Sequence, residues 1–203
     1  MVAAIVLAGG ASRRFGEDKT RARVDGVEVL QRVIDSVRAV RPVIDQIVVI
    51  GPWAPAGVAH LLEPERLQGP LAAISFGLAQ VRADSALVLG GDHPLLVPSL
   101  LEHLVERLTT PPPGGAAAPD AVVPRGPTGP EPLVACYRAA IRPQVDHLVD
   151  GGERRMRALL DTVDTEYVEP SDWQRFDPDG RSLLDIDTPA DLQRVQQLLA
   201  TAG

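Results

Sequence analysis

Cysteine occurs once in 203 residues, at position 136. An internal disulfide and a multi-cysteine metal site are both excluded, and a reducing cytoplasm is the expected setting. Aromatic residues are scarce as well, 3% of a chain that is 45% hydrophobic. The core must be built from Ala, Val, Leu and Ile, which suits helices packed on a parallel sheet. No apolar run reaches the roughly 18 residues of a membrane span, and no charged leader with a cleavage site precedes the first strand, so no membrane partner is expected. Cations are in deficit: 20 Lys and Arg against 27 Asp and Glu leave a net charge of −7. Covering long stretches of nucleic acid demands a basic surface, so nucleic acid is not an expected partner either. What remains is one domain, residues 1–203, long enough to bury a real core.

The deficit reverses locally. From residue 13 to 23 there are five cations, Arg13, Arg14, Lys19, Arg21 and Arg23, against Glu17 and Asp18. They follow "AAIVLAGG" (3–10), an apolar run that ends in Gly9 and Gly10. Glycines directly after a strand let backbone N–H groups approach a ligand, and clustered cations ask for an anion. The stretch reads as a phosphate site in which Ser12 donates a hydrogen bond while Arg13 and Lys19 supply charge for a triphosphate. Neither common fingerprint fits. The two glycines are adjacent rather than spaced as G-x-G-x-x-G, and Gly16 is followed by Glu17 and Asp18 instead of Lys and Ser or Thr. The plainer alternative is a glycine turn with solvated basic residues.

Periodicity places the remaining elements. The apolar run 2–8 predicts a strand buried on both faces, followed by a polar loop. Val29, Leu30, Val33, Ile34 and Val37 recur at helical spacing over 28–40. Strands are predicted at 46–51 and 59–63, then a helix over 69–81 with Pro70 in its first turn. A strand from 85 runs into an acidic turn, and a helix covers 98–108. The segment "TTPPPGGAAAP" (109–119) is the one low-complexity piece and reads as a surface linker. Beyond it come strands at 121–124 and 132–138, helices near 139–149 and 153–161, a strand near 165–169 and a last helix over 189–200. Such alternation predicts an α/β fold: three layers, α/β/α and Rossmann-like, around a mostly parallel sheet that binds its ligand at the carboxyl ends of the strands.

Two turns at that edge carry the unusual residues, the one after Ala8 and the one in "VLGGDHPLL" (88–96). Asp92 closes a strand beside Gly90 and Gly91, and a carboxylate facing a phosphate loop is placed to hold Mg2+. The alternative is a capping or turn Asp before Pro94. His93 has no second His or Cys at ligand spacing and reads as a turn residue. In "LLDIDTPADL" (183–192) Asp185 and Asp187 share one face and Ile186 the other, ahead of a helix start at Thr188 and Pro189. Asp187 is either a second metal ligand or a cap. Tyr137 and Arg138 in "EPLVACYR" (131–138) suit contact with a second, anionic substrate. Glu153, Arg154 and Arg155, after a double glycine, suit the same contact or a solvated helix face. Cys136 reads as a buried small hydrophobe, and sequence alone gives Trp53 and Trp173 no role.

Taken together, "LAGGASRRFGEDK" (7–19) resembles the signature of the molybdenum cofactor guanylyltransferases, within the nucleotidyltransferase superfamily of sugar-phosphate and isoprenoid-precursor enzymes. The likeness continues through "GPLAAISFGL" (69–78) as a second glycine element and "GGDHPLL" (90–96) as a metal-aspartate turn. "EPLVACYR" and "GGERRMRALL" (151–160) resemble acceptor-side segments, and "DIDTPADL" (185–192) a closing strand-to-helix motif. The resemblance implies a fold of the nucleotide-diphospho-sugar transferase type. It implies transfer of GMP from GTP to the phosphate of molybdenum-molybdopterin, with release of pyrophosphate. On this sequence Leu7, Ala8 and Gly9 would line the guanine pocket, and Gly10 would leave room for a purine. Glu63 and Gly69 would join the nucleotide site, Lys19 and Arg13 would bind phosphates, and Asp92, with Asp187, would hold Mg2+. Arg138, Arg154, Arg155 and Asp185 would face the acceptor, and molybdoenzymes or their chaperones would receive the product. The chain departs from the family pattern at Asp185 and Asp187, where Asn is frequent, and in "VVIGPWAP" (48–55), which lacks a common Asn. The acidic base contact is only loosely matched, by Glu63 or Glu65. A molybdopterin cytidylyltransferase, a sugar-phosphate nucleotidyltransferase and a catalytically silent nucleotide-binding module are the competing readings.

Overall fold

The computed structural model describes residues 1–9, 18–41, 44–62, 69–110 and 117–201. The apolar run at the start forms β1 (Val2–Leu7), every residue of which is buried. Val2, Ala4 and Val6 point into one apolar cluster, and Ala3, Ile5 and Leu7 into another. Side chains alternate across a strand, so burial on both faces demands an unbroken apolar run.

A turn of 3-10 helix, Lys19–Arg21, and a hairpin of β2 (Arg23–Val24) and β3 (Val27–Glu28) occupy a stretch where the pattern predicts only a polar loop. The hairpin turns on Asp25 and Gly26, with φ of 50° and 76°. Asp-Gly is the signal for such a turn, but strands of two residues are too short to show a period. Then α1 (Val29–Ala39), β4 (Gln46–Ile50), β5 (Ala59–Leu61), α2 (Pro70–Gln80), β6 (Ser85–Gly90) and α3 (Pro98–Thr109) alternate as predicted. The second half holds β7 (Ala121–Gly126), the two-residue β8 (Gly129–Pro130), β9 (Val134–Arg138), α4 (Arg142–Asp150), α5 (Met156–Thr162) and β10 (Thr165–Val168). A short α6 (Pro170–Trp173) and α7 (Pro189–Ala200) end it.

Apart from the separate β2–β3 hairpin, the described strands form one sheet in the order β10-β7-β9-β6-β1-β4-β5, with β8 paired to β7. Along that path every strand but β9 runs in one direction; β9 is antiparallel to both neighbours. Buried side chains of α1 and α3 cover one face, and those of α2, α4 and α5 the other, which makes the three layers. A third, small cluster of Val24, Val29, Leu95, Ile186 and Val195 docks α7 and the segment before it onto the β2–β3 hairpin. No helix among the described residues is long and apolar enough to cross a membrane.

Candidate active site

Parallel strands bring their carboxyl ends to one edge. Leu7 of β1 stands opposite Gly90 of β6 on one side and Ile50 of β4 on the other. Just beyond, Gly91 N–H donates to the Leu7 carbonyl at 2.9 Å, and Ala8 N–H to the Ile50 carbonyl at 2.7 Å. Side chains have no room here. A Cβ on Gly51 would lie 2.7 Å from the Ala8 carbonyl carbon, and one on Gly90 would lie 2.5 Å from Asp92 Oδ1. Glycine at these positions lets the turns close and presses the Asp92 carboxylate over the end of β6.

Asp92 meets two partners from distant parts of the chain. Lys19 Nζ lies 2.6 Å from Asp92 Oδ2 and 2.6 Å from Asp187 Oδ1. Asp92, Asp185 and Asp187 each offer a carboxylate oxygen, all within 4.8 Å of one another. Backbone fixes this meeting, because Ile186 N–H donates to the Asp92 carbonyl at 3.0 Å while the Ile186 side chain is buried in the third cluster. Its neighbours Asp185 and Asp187 then turn the other way, as the alternation predicts. The cap of α7 is Thr188, whose hydroxyl accepts from Asp191 N–H at 3.3 Å while Asp191 Oδ2 accepts from Thr188 N–H at 2.7 Å. That capping box leaves the Asp187 carboxylate for the cluster.

Burial opposes the charge on Lys19, but Asp92 and Asp187 outweigh it and hold its pKa above the ordinary value. The Asp185 carboxyl is pushed up first by burial, against the opposing pull of His93, and further by Asp187 and Asp92. Three hard oxygen donors that repel one another fit a divalent cation of the oxygen-seeking kind.

Two more residues face this cluster. His93 is buried, with Nδ1 3.0 Å from the Ser182 carbonyl. A carbonyl can only accept, so Nδ1 carries the proton and Nε2 is left toward Asp92, 3.8 Å from Oδ1. Ser182 is itself held by the buried Asp177, which accepts its N–H at 2.7 Å. Glu131 is half-buried, with Oε1 2.6 Å from where a Cβ on Gly126 would sit. Burial raises its pKa, His93 lowers it and Asp185 raises it, which ties it to the same charges.

Hydrophobic periodicity does not mark Glu131, yet the sequence carries a signal for it. Only residues 127–133 separate β7 from β9, too few for a parallel crossover, so β9 must run backwards and its start lies at the carboxyl edge. For the same reason Arg138 is carried to the opposite edge, where it pairs in register with Ser85. Its Nε donates to the Pro119 carbonyl at 2.8 Å and its Nη2 to the Leu108 carbonyl at 3.0 Å, closing the end of α3. Arg138, expected at the acceptor, is thereby placed at the edge of the sheet away from the acidic cluster.

Arg154 packs against the amino end of α2, with its Cβ and Cδ 3.6 Å from a Cβ built on Gly69. Gly69 itself has φ of 90°, open to glycine and strained for other residues. Arg155 is paired with Glu153 at 2.7 Å, and its guanidinium, with the N–H groups of Arg155 and Arg154, pulls the Glu153 pKa down to about 2. Leu7 and Ala8 bury their side chains in the two faces of the sheet, so of the three expected pocket residues Gly9 is the exposed one. Gly10, Ser12, Arg13, Glu63 and Glu65 lie outside the described residues.

Residues 4–167 match the model of the MobA-like NTP transferase domain. The chain belongs to the MobA-like NTP transferase family. A probable molybdenum cofactor guanylyltransferase of Chloroflexus aggregans is 31% identical over 210 residues, spanning 100% of this chain and 97% of that protein. Among solved structures, molybdopterin-guanine dinucleotide biosynthesis protein A from Archaeoglobus fulgidus has the same fold. Its TM-score is 0.81 at 24% identity, over 99% of this chain and 100% of its own. A Mycobacterium tuberculosis H37Rv protein solved in complex with manganese has the fold too, with a TM-score of 0.66 at 18% identity over 97% of this chain and 98% of its own. In this MobA-like NTP transferase the matched range includes Lys19 and Asp92 and stops before Asp185 and Asp187.

Proposed function

We propose that this MobA-like NTP transferase moves GMP from GTP to the phosphate of molybdenum-molybdopterin and releases pyrophosphate. The proposal rests on the meeting of Lys19 with Asp92 and Asp187 where β1 and β6 end side by side. A phosphate-binding cation and a metal-holding set of acids are thereby joined in one crevice. The name of the Chloroflexus aggregans relative and the "LAGGASRRFGEDK" stretch support guanine and molybdopterin as the two partners.

An oxygen of the acceptor's phosphate attacks the α-phosphorus, a new P–O bond forms, and the bond to the bridging oxygen breaks, so pyrophosphate leaves with the electron pair. No protein nucleophile is required; the chain's tasks are alignment and neutralisation. Lys19 and Arg13 grip phosphate oxygens, Gly9, Gly10 and Ser12 bring donors close, and Gly10 leaves space for a purine. Asp92, with Asp187 and Asp185, would hold Mg2+, which when bound supplies positive charge to the reacting phosphates. Gly69 and Arg154 border the nucleotide at the start of α2, and Arg155 reaches toward the acceptor. A single buried cysteine suits the cytoplasm as the place of work. Molybdoenzymes or their chaperones are the onward recipients.

The test is pyrophosphate release with Mg2+ and molybdenum-loaded molybdopterin. GTP is expected to turn over and CTP, UTP and ATP to lag; preference for CTP would make the enzyme a cytidylyltransferase. Asp92→Ala should abolish turnover with the circular dichroism spectrum unchanged. Residual activity within about tenfold of wild type, only about 1.4 kcal/mol in barrier, would remove Asp92 from the reaction centre. Stabilisation by GTP without pyrophosphate release from any acceptor would mark a silent binding module.

A further inference from the structure

We infer that Trp53 is a positioning residue that sets the base of the Lys19 side chain. Trp53 lies in the connection between β4 and β5, inside "VVIGPWAP", and is half-buried against the larger apolar cluster. Its indole Nε1–H donates to Thr20 Oγ1 at 2.9 Å. That hydroxyl donates in turn to Asp18 Oδ1 at 2.6 Å, and the same carboxylate oxygen accepts from Thr20 N–H at 3.1 Å, which caps the turn carrying Lys19. The direction of this relay is forced. Indole can only donate, an ionised carboxylate can only accept, and the one hydroxyl proton goes to Asp18.

The other neighbour is tied to the same ring, because the Arg21 guanidinium lies 4.8 Å from the Trp53 ring centroid. Asp18, Thr20 and Arg21 are thus all referred to Trp53, directly or through one hydrogen bond, and Lys19 is the member of the turn that points to Asp92 and Asp187 instead. Thr20 is buried, so its hydroxyl needs this partner. The platform under Trp53 is closely packed as well. Gly51, two residues earlier, lies so close to the Ala8 backbone that a Cβ would come within 2.7 Å of it, which clamps the connection onto the end of β1. A phosphate-binding ammonium on a long flexible stem loses less freedom on binding when its own turn is already fixed.

This inference rests on the reading that Lys19 grips the nucleotide. GTP affinity is measured by calorimetry with Mg2+, and the Michaelis constant and turnover by pyrophosphate release. Trp53→Phe keeps an aromatic face and removes the N–H; Thr20→Val removes the hydroxyl; Thr20→Ser restores it. Trp53→Phe and Thr20→Val should each weaken GTP binding by about three- to tenfold, the usual worth of one hydrogen bond, and act mainly on the Michaelis constant. Thr20→Ser should bind GTP as wild type does. In a Lys19→Met background both losses should vanish, which packing alone would not produce. Should Trp53→Phe fail to fold, the Thr20 pair tests the same link. Unchanged affinity in Trp53→Phe and Thr20→Val, or full losses persisting without Lys19, would overturn the positioning role alone. Unchanged affinity in Lys19→Met itself would overturn it together with the phosphate reading.

Discussion

An ammonium held 2.6 Å from each of two carboxylate oxygens occupies ground that a divalent ion needs. Phosphate and carboxylate compete for Lys19, and Lys19 competes with metal for Asp92 and Asp187. Lys19→Met should therefore move two affinities in opposite directions. GTP binding falls by about tenfold or more, while Mn2+ binding in the absence of nucleotide rises by a similar factor, both by calorimetry. A fall in both would mean that the lysine organises the carboxylates instead of occupying them. Asp185 adds a pH dependence. Burial, then Asp187 and Asp92 against the pull of His93, keep its proton to higher pH than an ordinary carboxyl of about 3.9 would. Its effect on folding is present below the unfolded pKa and is lost as pH rises through the folded one. For metal the sign is reversed, since a proton on Asp185 competes with the ion. Mn2+ affinity should climb with pH above the ordinary carboxylate range, and Asp185→Asn should flatten that climb.

At the scale of the element, direction decides which end of a strand reaches the chemistry. Because β9 runs against its neighbours, Arg138 closes α3 and Glu131 faces the acidic cluster. Arg138→Ala should cost about 2 kcal/mol of stability by denaturant unfolding, the worth of charged hydrogen bonds lost by two carbonyls, and leave kcat/KM for GTP and acceptor unchanged. A selective loss of kcat/KM at unchanged stability would return Arg138 to the acceptor. Elements with a full apolar face were legible: the strand at 2–8, the α1 stripe of five buried residues and the boundaries of α7 all follow from periodicity. The two-residue strands and the four-residue α6 were not, because nothing that short has a period. Strand direction belongs to the connection, so Glu131 escaped while Asp92, at the end of a parallel strand, did not. Trp53 escaped for a third reason: its partner Thr20 is 33 residues away in the chain.

The whole molecule solves a problem of distance, since Lys19, Asp92 and the pair Asp185 and Asp187 come from three remote segments and the three carboxylates repel one another. Coulomb attraction to one lysine cannot hold three carboxylates together in a chain of net charge −7. The smallest apolar cluster does that work. Val24 belongs to the hairpin beside the Lys19 turn and Val29 opens α1 just after it, Leu95 follows Asp92, and Ile186 lies between Asp185 and Asp187. Burial of a few aliphatic side chains, each contributing about 1.5–3 kcal/mol, thus converts into the placement of charges. Ile186→Ala should lower stability by about 3 kcal/mol and also weaken Mn2+ binding, although its side chain touches no ion. Leu104→Ala, equally buried but in the larger cluster under α3, should cost as much stability and leave Mn2+ affinity unchanged. If calorimetry finds the two variants alike in metal binding, the third cluster is ordinary core and the acids are held by something else.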